Sequence, residues 1–132
     1  MLTHMGLSSD FISSEFKPGK RDQVINDFKA GKIKHVCNVG VLTTGFDYPA
    51  LDCITLARPT MSLALYYQMA GRGMRIDPNN PNKVCKIVDI CEISKRMGRV
   101  ETIRMAKEAD GFRDIVMSEM GEITNKPLFR FR

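Results

Sequence analysis

The chain has 132 residues, of which 43% are hydrophobic and 27% charged, and it carries a net charge of +5. A chain of this length and composition fits one globular domain. No apolar stretch approaches the roughly 18 residues of a membrane-spanning helix, and residues 1–10 lack the basic start and apolar core of a signal peptide. We therefore expect a soluble cytoplasmic protein with no membrane partner.

The positive charge is concentrated in the middle of the chain. Residues 51–100 carry eight Lys or Arg against four Asp or Glu, whereas the segments on either side are close to balanced. This modest bias permits a polyanionic partner without establishing one.

The four cysteines follow no metal-binding pattern. None forms a Cys-x-x-Cys pair, and the two histidines are not spaced as zinc ligands. Cys37, Cys53 and Cys85 each lie in an apolar run, so we predict reduced thiols that are buried in strands.

Strand and helix patterns alternate through residue 93. A helix is predicted at 20–30, because Val24, Ile25 and Phe28 share one face and Gly31 suits the position that follows a helix end. The remaining elements are a weak strand at 10–16, strands at 33–39, 51–57 and 84–90, and a helix at 63–72 capped by Thr60 or Ser62. This order predicts an α/β fold with a parallel sheet, and the continuous apolar character of the strands predicts that both faces are covered.

Residues 94–132 form a C-terminal extension with a mixed pattern. A strand is predicted near 112–117 and an extended piece near 121–127, whereas 94–111 favours neither helix nor strand. The extension begins with a basic cluster, Lys95, Arg96 and Arg99, which is expected either to contact nucleic acid or to form a solvated face.

Polar loops follow two of the predicted strands where each strand ends. Ligands gather at the carboxyl ends of parallel strands, so we expect the loops 43–47 and 58–60 to lie at one end of the sheet. The first loop offers two hydroxyls and a glycine backbone to phosphate oxygens, and a carboxylate to a ribose hydroxyl or an arginine. These groups belong to Thr43, Thr44, Gly45 and Asp47. An ordinary turn with a solvated Asp is the alternative.

Two arginines stand three residues apart in the stretch Gln68-Met-Ala-Gly-Arg-Gly-Met-Arg75. We expect Arg72 and Arg75 to share one helix face, with Gln68 one turn earlier, and each guanidinium fits a phosphate. The flanking glycines cost a helix about 1 kcal/mol each and admit a ligand or a neighbouring backbone. The alternative is a helix end decorated with cations.

Several catalytic patterns are missing from the sequence. It contains no Gly-x-x-x-x-Gly-Lys-[Ser/Thr] phosphate loop, no acidic pair placed to hold Mg²⁺, and no convincing nucleophile–base arrangement. We therefore expect that this chain alone does not hydrolyse a nucleotide.

The segments 43–49, 58–60 and 68–75 resemble motifs V and VI of superfamily 2 helicases. The helix that ends in Phe28-Lys-Ala-Gly31 resembles the family's helix before the motif V strand. The resemblance covers residues 6–93 and is to the C-terminal RecA-like domain of DEAD/DEAH-like helicases, similar to RadD and to type III restriction subunits.

This resemblance implies a RecA-like parallel sheet flanked by helices over residues 1–93, followed by the extension 94–132. It also implies that ATP and Mg²⁺ lie between two RecA-like domains, of which the first supplies the phosphate loop and the Mg²⁺ ligands and is missing here. The first strand and motif IV of the second domain are expected before Met1, so the native protein is expected to begin earlier.

The resemblance also implies residue roles by position. Arg75 resembles the arginine finger on the γ-phosphate, Arg72 its companion, and Gln68 a residue near the γ-phosphate or the attacking water. The motif V loop supplies the others: Gly45 and Asp47 resemble residues that couple the nucleotide to the nucleic acid, and Thr43 and Thr44 resemble contacts to strand phosphates.

Two functions remain open at this stage. The first is the C-terminal half of an ATP-dependent helicase or translocase, inactive alone, with DNA favoured over RNA as the nucleic acid. The second is a stand-alone nucleic-acid-binding or regulatory module that kept the fold without catalysis. A third, a nuclease or restriction subunit, needs acidic metal ligands that the sequence does not show. A phosphate loop encoded upstream of Met1 would discriminate the first two.

Overall fold

The computed structural model describes residues 5–40, 42, 46–107, 114–119 and 121–122. The chain divides into two compact units, one within residues 1–48 and the other within residues 49–132. The predicted boundary between residues 93 and 94 stays a prediction.

The first unit is a strand–helix–strand segment. Strand β1 (Ser9–Ile12) pairs in parallel with β2 (His35–Asn38), and helix α1 (Pro18–Lys29) connects them. The helix begins at a proline, whose fixed φ suits a first turn, and it is followed by Gly31 at φ +75°. The predicted helix is confirmed, whereas the first strand is shorter than predicted because the chain turns at Ser13, whose carbonyl accepts from Phe16 N at 3.3 Å.

The second unit begins with a similar segment. Strand β3 (Cys53–Leu56) pairs in parallel with β4 (Lys86–Asp89), and helix α2 (Leu63–Gly71) lies between them in the chain. The hydroxyl of Ser62 accepts a hydrogen bond from Leu65 N at 3.2 Å and caps α2, as the sequence predicted.

The core of this unit lies on one face of the β3–β4 sheet. Its buried members come from β3, α2 and the residues after β4: Leu56, Tyr66, Ala70, Ile93, Met97 and Val100. On the other face Cys53, Thr55, Lys86 and Val88 are exposed. The prediction that both sheet faces are covered is therefore wrong for this unit, because these strands alternate between inward and outward side chains.

The C-terminal part adds helix α3 (Ile93–Met97), a 3₁₀ turn at Val100–Thr102 and an antiparallel sheet. The sheet contains β5 (Arg104–Lys107), β6 (Asp114–Ser118) and β7 (Gly121–Glu122). The strand predicted near 112–117 is confirmed as β6, and most of the extended piece predicted at 121–127 lies outside the described residues.

The cysteines differ from their prediction. All four are free thiols, but Cys37 and Cys53 are exposed and Cys85 and Cys91 are only half-buried. The prediction that these thiols are buried is therefore wrong, because Cys37 and Cys53 occupy exposed positions in sheets of two strands each.

None of the helices described is long and apolar enough to cross a membrane.

Candidate functional site

Helix α2 and the residue that follows it carry Gln68 and Arg72, two of the three residues that are predicted to lie near the phosphates of ATP. Gln68 is half-buried in the second turn of α2, and Arg72 is the C-cap residue with helical φ and ψ of −61° and −38°. Residues four apart on a helix are neighbours on its surface, so Gln68 and Arg72 share a face.

Arg75 lies beyond the helix, in a bend. The prediction that Arg72 and Arg75 share one helix face is wrong, because α2 ends at Gly71. The N–H groups of Arg72 and Gly73 close short turns on the carbonyls of Met69 and Ala70, at 3.3 and 3.1 Å. The glycines that disfavour helix therefore mark its end.

Of the two glycines beside Arg72, only Gly73 makes a close approach. A Cβ atom at Gly73 would lie 2.2 Å from Cys85 Sγ and 3.0 Å from Ile54 Cδ1, whereas one at Gly71 would meet nothing within 4 Å. The prediction that a missing side chain admits a neighbour thus holds for Gly73, where the neighbour is the side chain of Cys85.

An open cavity of about 190 Å³ lies beside this turn. Its lining runs along the turn and the segment that leads into β4: Gly73, Met74, Arg75, Ile76, Asp77, Pro81, Lys83, Cys85 and Ile87. Arg75 is exposed, and its neighbours Met74 and Ile76 are 49% and 80% exposed. The cavity therefore combines two cationic side chains, Arg75 and Lys83, with apolar surface.

Lys83 holds the turn through the backbone. Its ammonium donates to the carbonyl of Gly73 at 3.2 Å and also to the carbonyl of Pro49. Burial raises the pKa of the Cys85 thiol, and the positive charge of Lys83 partly opposes this shift.

The loop from Asp77 to Asn82 shapes the far side of the cavity. Asp77 is buried and its Oδ1 accepts from Asn79 N at 2.9 Å, while the carbonyl of Asp77 accepts from Asn80 N at 3.1 Å. This is an Asx-type turn, which agrees with the loop that the Asp-Pro-Asn-Asn-Pro-Asn sequence predicts.

The motif V loop belongs to the first unit. Phe46 is buried and packs with Phe28 of α1 and with Tyr48, at ring-centroid distances of 6.4 and 6.5 Å. Asp47, between the two aromatic residues, is exposed. Phe46 and Tyr48 therefore anchor the segment on α1 and leave the Asp47 carboxylate accessible. Thr43, Thr44 and Gly45 lie outside the described residues.

The Arg-Pro-Thr segment after β3 leads into α2. Arg58 is exposed, whereas Thr60 is buried and its Oγ1 accepts from Ser62 N at 3.1 Å. Thr60 thus orders the residue that caps α2.

The basic cluster of the extension is largely neutralised within the chain. Lys95 pairs with Glu92 at 2.5 Å, and Arg99 Nε contacts Glu119 Oε2 at 3.0 Å. Hydrogen bonds from the Arg99 backbone N–H and then from its side chain lower the pKa of Glu119 despite some desolvation. This pairing favours a solvated face over a nucleic-acid contact.

Within the described residues, no group of three or more His, Cys, Asp or Glu is placed to hold a metal ion. The structure brings together Gln68 with Arg72, and Arg75 with Lys83. Asp47 lies in the other unit.

Two features of the site were not predicted from the sequence. The Phe28–Phe46–Tyr48 cluster has a sequence signal, since aromatic residues stand on both sides of Asp47. Lys83 has none, because its partners are backbone carbonyls 10 and 34 residues away.

The Helicase conserved C-terminal domain family matches residues 1–77. This match spans the first strand–helix–strand segment together with β3 and α2 of the second, and it ends before β4. The chain belongs to this helicase C-terminal domain family. The superfamily 2 assignment drawn from motifs V and VI is confirmed.

Relatives of this domain are named as helicases and restriction subunits. A Saccharomyces cerevisiae protein named as the ATP-dependent helicase IRC3 is 40% identical over 84 residues, which is 64% of this chain and 12% of the relative. The type I restriction enzyme EcoKI endonuclease subunit of Escherichia coli K12 is 38% identical over 69 residues, covering 52% of this chain and 6% of the relative. The chain thus matches a small part of each relative.

Solved structures share the fold. The C-terminal domain of the DEAD-box protein Dbp5 superposes with a TM-score of 0.56 at 19% identity, over 76% of this chain and 56% of that one. Saccharomyces cerevisiae Dbp5 bound to RNA and ADP BeF₃ gives a TM-score of 0.54 at 24% identity, over 67% of this chain and 23% of that one. The predicted RecA-like α/β fold is confirmed.

Proposed function

We propose that this chain is the C-terminal domain of an ATP-dependent helicase or translocase and that Arg75 reaches the γ-phosphate of ATP bound mainly by a separate RecA-like domain. The observation that carries the proposal is the position of Arg75, exposed at an open cavity just beyond the end of α2. An exposed guanidinium beyond the end of the helix can enter a neighbouring site, where it stabilises the charge on a transferring phosphoryl group.

The surface around Arg75 supports a partner domain. Met74 and Ile76 expose apolar side chains on both sides of it, and burial of apolar surface against a partner is favourable. Docking of the N-terminal RecA-like domain would cover these side chains and exclude water from the phosphates.

Gln68 and Arg72 complete this side of the proposed cleft. Both are half-buried on one face of α2, where the guanidinium of Arg72 supplies a second phosphate-binding fork and the amide of Gln68 supplies a donor and an acceptor. The phosphate loop and the Mg²⁺ ligands come from the other domain in this proposal, so ATP and Mg²⁺ are its cofactors.

The motif V loop is proposed to link ATP to the nucleic acid. Asp47 is exposed between two anchored aromatic residues, which suits a contact to the ribose or to an arginine. Thr43 and Thr44 are proposed to contact strand phosphates, and Gly45 with Asp47 to couple the nucleotide to the nucleic acid. DNA is the proposed nucleic acid, and a cytoplasmic location stays a prediction.

The test is ATP turnover by the full-length protein that carries this chain, with Arg75→Ala, Arg75→Lys and a control, Arg104→Ala, at an exposed arginine of β5. Loss of an arginine finger lowers turnover by about 10³–10⁵-fold. Arg75→Ala should show that loss of turnover, with strand binding largely intact. Arg75→Lys should recover little turnover, because a compact ammonium replaces the planar guanidinium and its paired donors. Arg104→Ala should have wild-type turnover. Normal turnover by Arg75→Ala would sink the assignment.

The isolated chain tests the two-domain arrangement separately. We expect no ATPase activity from it at any concentration of nucleic acid. Hydrolysis by the isolated chain that depends on Arg75 would contradict the proposal.

Thr44→Ala tests the strand contact, with single-stranded DNA and RNA compared. It should weaken binding at every salt concentration and leave the logarithmic salt slope close to the wild-type value, because a neutral hydroxyl displaces no counterions from the strand. Nucleotide affinity should not change. Equal strand affinities for the wild type and the variant at every salt concentration would show that Thr44 does not contact the strand.

A further inference from the structure

A single ammonium group joins two backbone segments beside the cavity. Lys83 Nζ donates to the carbonyl of Gly73 at 3.2 Å and to the carbonyl of Pro49, and the lysine's own N–H donates to the Asn80 carbonyl at 3.0 Å. The side chain is half-buried and lines the same cavity as Arg75.

Both carbonyls occupy significant positions in the chain. Gly73 lies between the two arginines of the Gln68–Arg75 segment, and Pro49 comes two residues after Asp47. Charge-assisted hydrogen bonds are about twice as strong as neutral ones, and here two of them converge on one atom. The ammonium therefore links the turn that presents Arg75 to the backbone at Pro49, the last residue of the segment that resembles motif V.

Cys85 makes a second contact with the same turn. Gly73 packs against Cys85, with space for no Cβ atom. Lys83 and Cys85 thus both contact Gly73, and these contacts fix the residue from which the bend containing Arg75 begins.

We propose that Lys83 is a positioning residue for Arg75, which fixes the arginine through the Gly73 carbonyl. This inference rests on the proposed function, because it concerns how the arginine reaches its phosphate. Lys83 acts through the backbone and not as a second catalytic cation, since its donors are directed to carbonyls.

The experiment compares Lys83→Met with Lys86→Met in the full-length protein. In Lys83→Met, methionine keeps much of the aliphatic stem and removes the ammonium. Lys86→Met removes the same charge from an exposed lysine of β4 on the outer face of the sheet. A displacement of about 1 Å costs roughly 10²-fold in rate, so Lys83→Met should lower kcat by about 10- to 100-fold. The KM for ATP should change by less than about threefold, because the other domain supplies most of the nucleotide binding. Lys83→Arg should recover part of kcat, and Lys86→Met should match the wild type.

A double variant separates positioning from direct catalysis. If Lys83 acts through Arg75, Lys83→Met should add little to the loss caused by Arg75→Ala, because the group being positioned is already gone. Multiplicative losses, or a Lys83→Met enzyme with wild-type kcat, would overturn the inference while leaving the role of Arg75 intact. Normal turnover by Arg75→Ala would instead overturn the proposed function and this inference with it.

Hydrogen exchange gives a readout that does not depend on turnover. Lys83→Met should speed exchange of the amides of residues 72–75 without changing exchange in β3. If Lys83→Met does not fold, Lys83→Gln carries the same comparison, because its neutral amide removes the charge and has a shorter reach. Wild-type exchange in this turn for every folded variant would overturn the inference.

Discussion

Gly73 packs directly against Cys85: a Cβ atom at position 73 would meet the Cys85 sulfur at 2.2 Å and its Cβ at 3.2 Å. The backbone φ of Gly73 is not in the left-handed region, so glycine is required there by packing and not by conformation. The turn that follows α2 can therefore lie against the residue just before β4 only while position 73 has no side chain.

Gly73→Ala should destabilise the protein by about 1–3 kcal/mol, the usual cost of an added methyl in a packed site. Cys85→Ala should restore part of that loss in the double variant, because it removes the closest atom and leaves the contacts at 3.0 and 3.2 Å. Free energies of unfolding for the four proteins of the cycle give the coupling, expected at about 0.5–3 kcal/mol.

The matched control is Gly71→Ala, two residues earlier. A Cβ atom there meets nothing within 4 Å, and position 71 is the last residue of α2. Alanine should be neutral or should stabilise the helix by up to about 1 kcal/mol. Equal destabilisation by both substitutions would refute the packing explanation for Gly73.

Local patterns were enough to predict most helices and strands. Helix α1 has an apolar face and a glycine stop, and α2 has an apolar run and a serine cap, so neighbours in sequence fix both. The parallel pairing followed from the alternation of strands with helices. The helix after β4 was missed because Asp89 orders it from five residues away, by accepting from Ser94 N at 2.7 Å.

The site was less predictable, because tertiary contacts set it. Helical spacing put Arg72 and Arg75 on one face, but the packing of Gly73 on Cys85 and the Lys83 bonds belong to a turn that starts after Gly71. Nothing local in the sequence reports a lysine that reaches a carbonyl 10 residues away. The residue types of the site were therefore predictable, and the geometry that presents Arg75 was not.

Phe46→Ala should destabilise the first unit by about 3 kcal/mol, near the lower end of the range for a buried phenylalanine. Phe46 is 9% exposed and packs with Phe28 and Tyr48, so truncation removes its contacts with both rings. Denaturant unfolding is the measurement. Phe11→Ala is the control: that ring is 55% exposed and stacks only edgewise on Phe16, so its loss should cost less than about 1.5 kcal/mol. Similar losses for both variants would count against an anchoring role.

Gly98→Ala should be more damaging than alanine at other glycines with positive φ. Gly98 has φ of 81° and ψ of 168°, a region that is nearly restricted to glycine, and a Cβ atom would lie 2.4 Å from Ser118 Oγ. The conformational cost of about 1–3 kcal/mol should add to about 1–3 kcal/mol of overpacking. Gly31→Ala is the control for a positive φ without a steric clash, because φ is 75° and no atom lies within 4 Å of the added Cβ. A midpoint of thermal unfolding that falls equally for both would show that Ser118 contributes nothing.

Asp89 should make the stability of the second unit depend on pH. Burial raises the pKa of its carboxyl, but hydrogen bonds from the backbone N–H of Ser94 at 2.7 Å and then from the Ser94 hydroxyl at 2.8 Å outweigh that effect and lower the pKa. A carboxyl whose folded pKa lies below the ordinary value of 3.8 stabilises the fold above that value. This stabilisation is lost as the pH falls through the folded pKa.

Ser94→Ala removes the hydroxyl bond and should lower the free energy of unfolding at neutral pH by about 0.5–1.5 kcal/mol. The difference from the wild type should shrink below the folded pKa of Asp89, because a protonated carboxyl accepts this bond weakly. Unfolding by denaturant between about pH 2 and pH 7 measures it. The control is Ser14→Ala, at an exposed serine before α1, whose effect should be small at every pH. A Ser94→Ala difference that stays constant across this range would show that the hydroxyl does not act through the charge of Asp89.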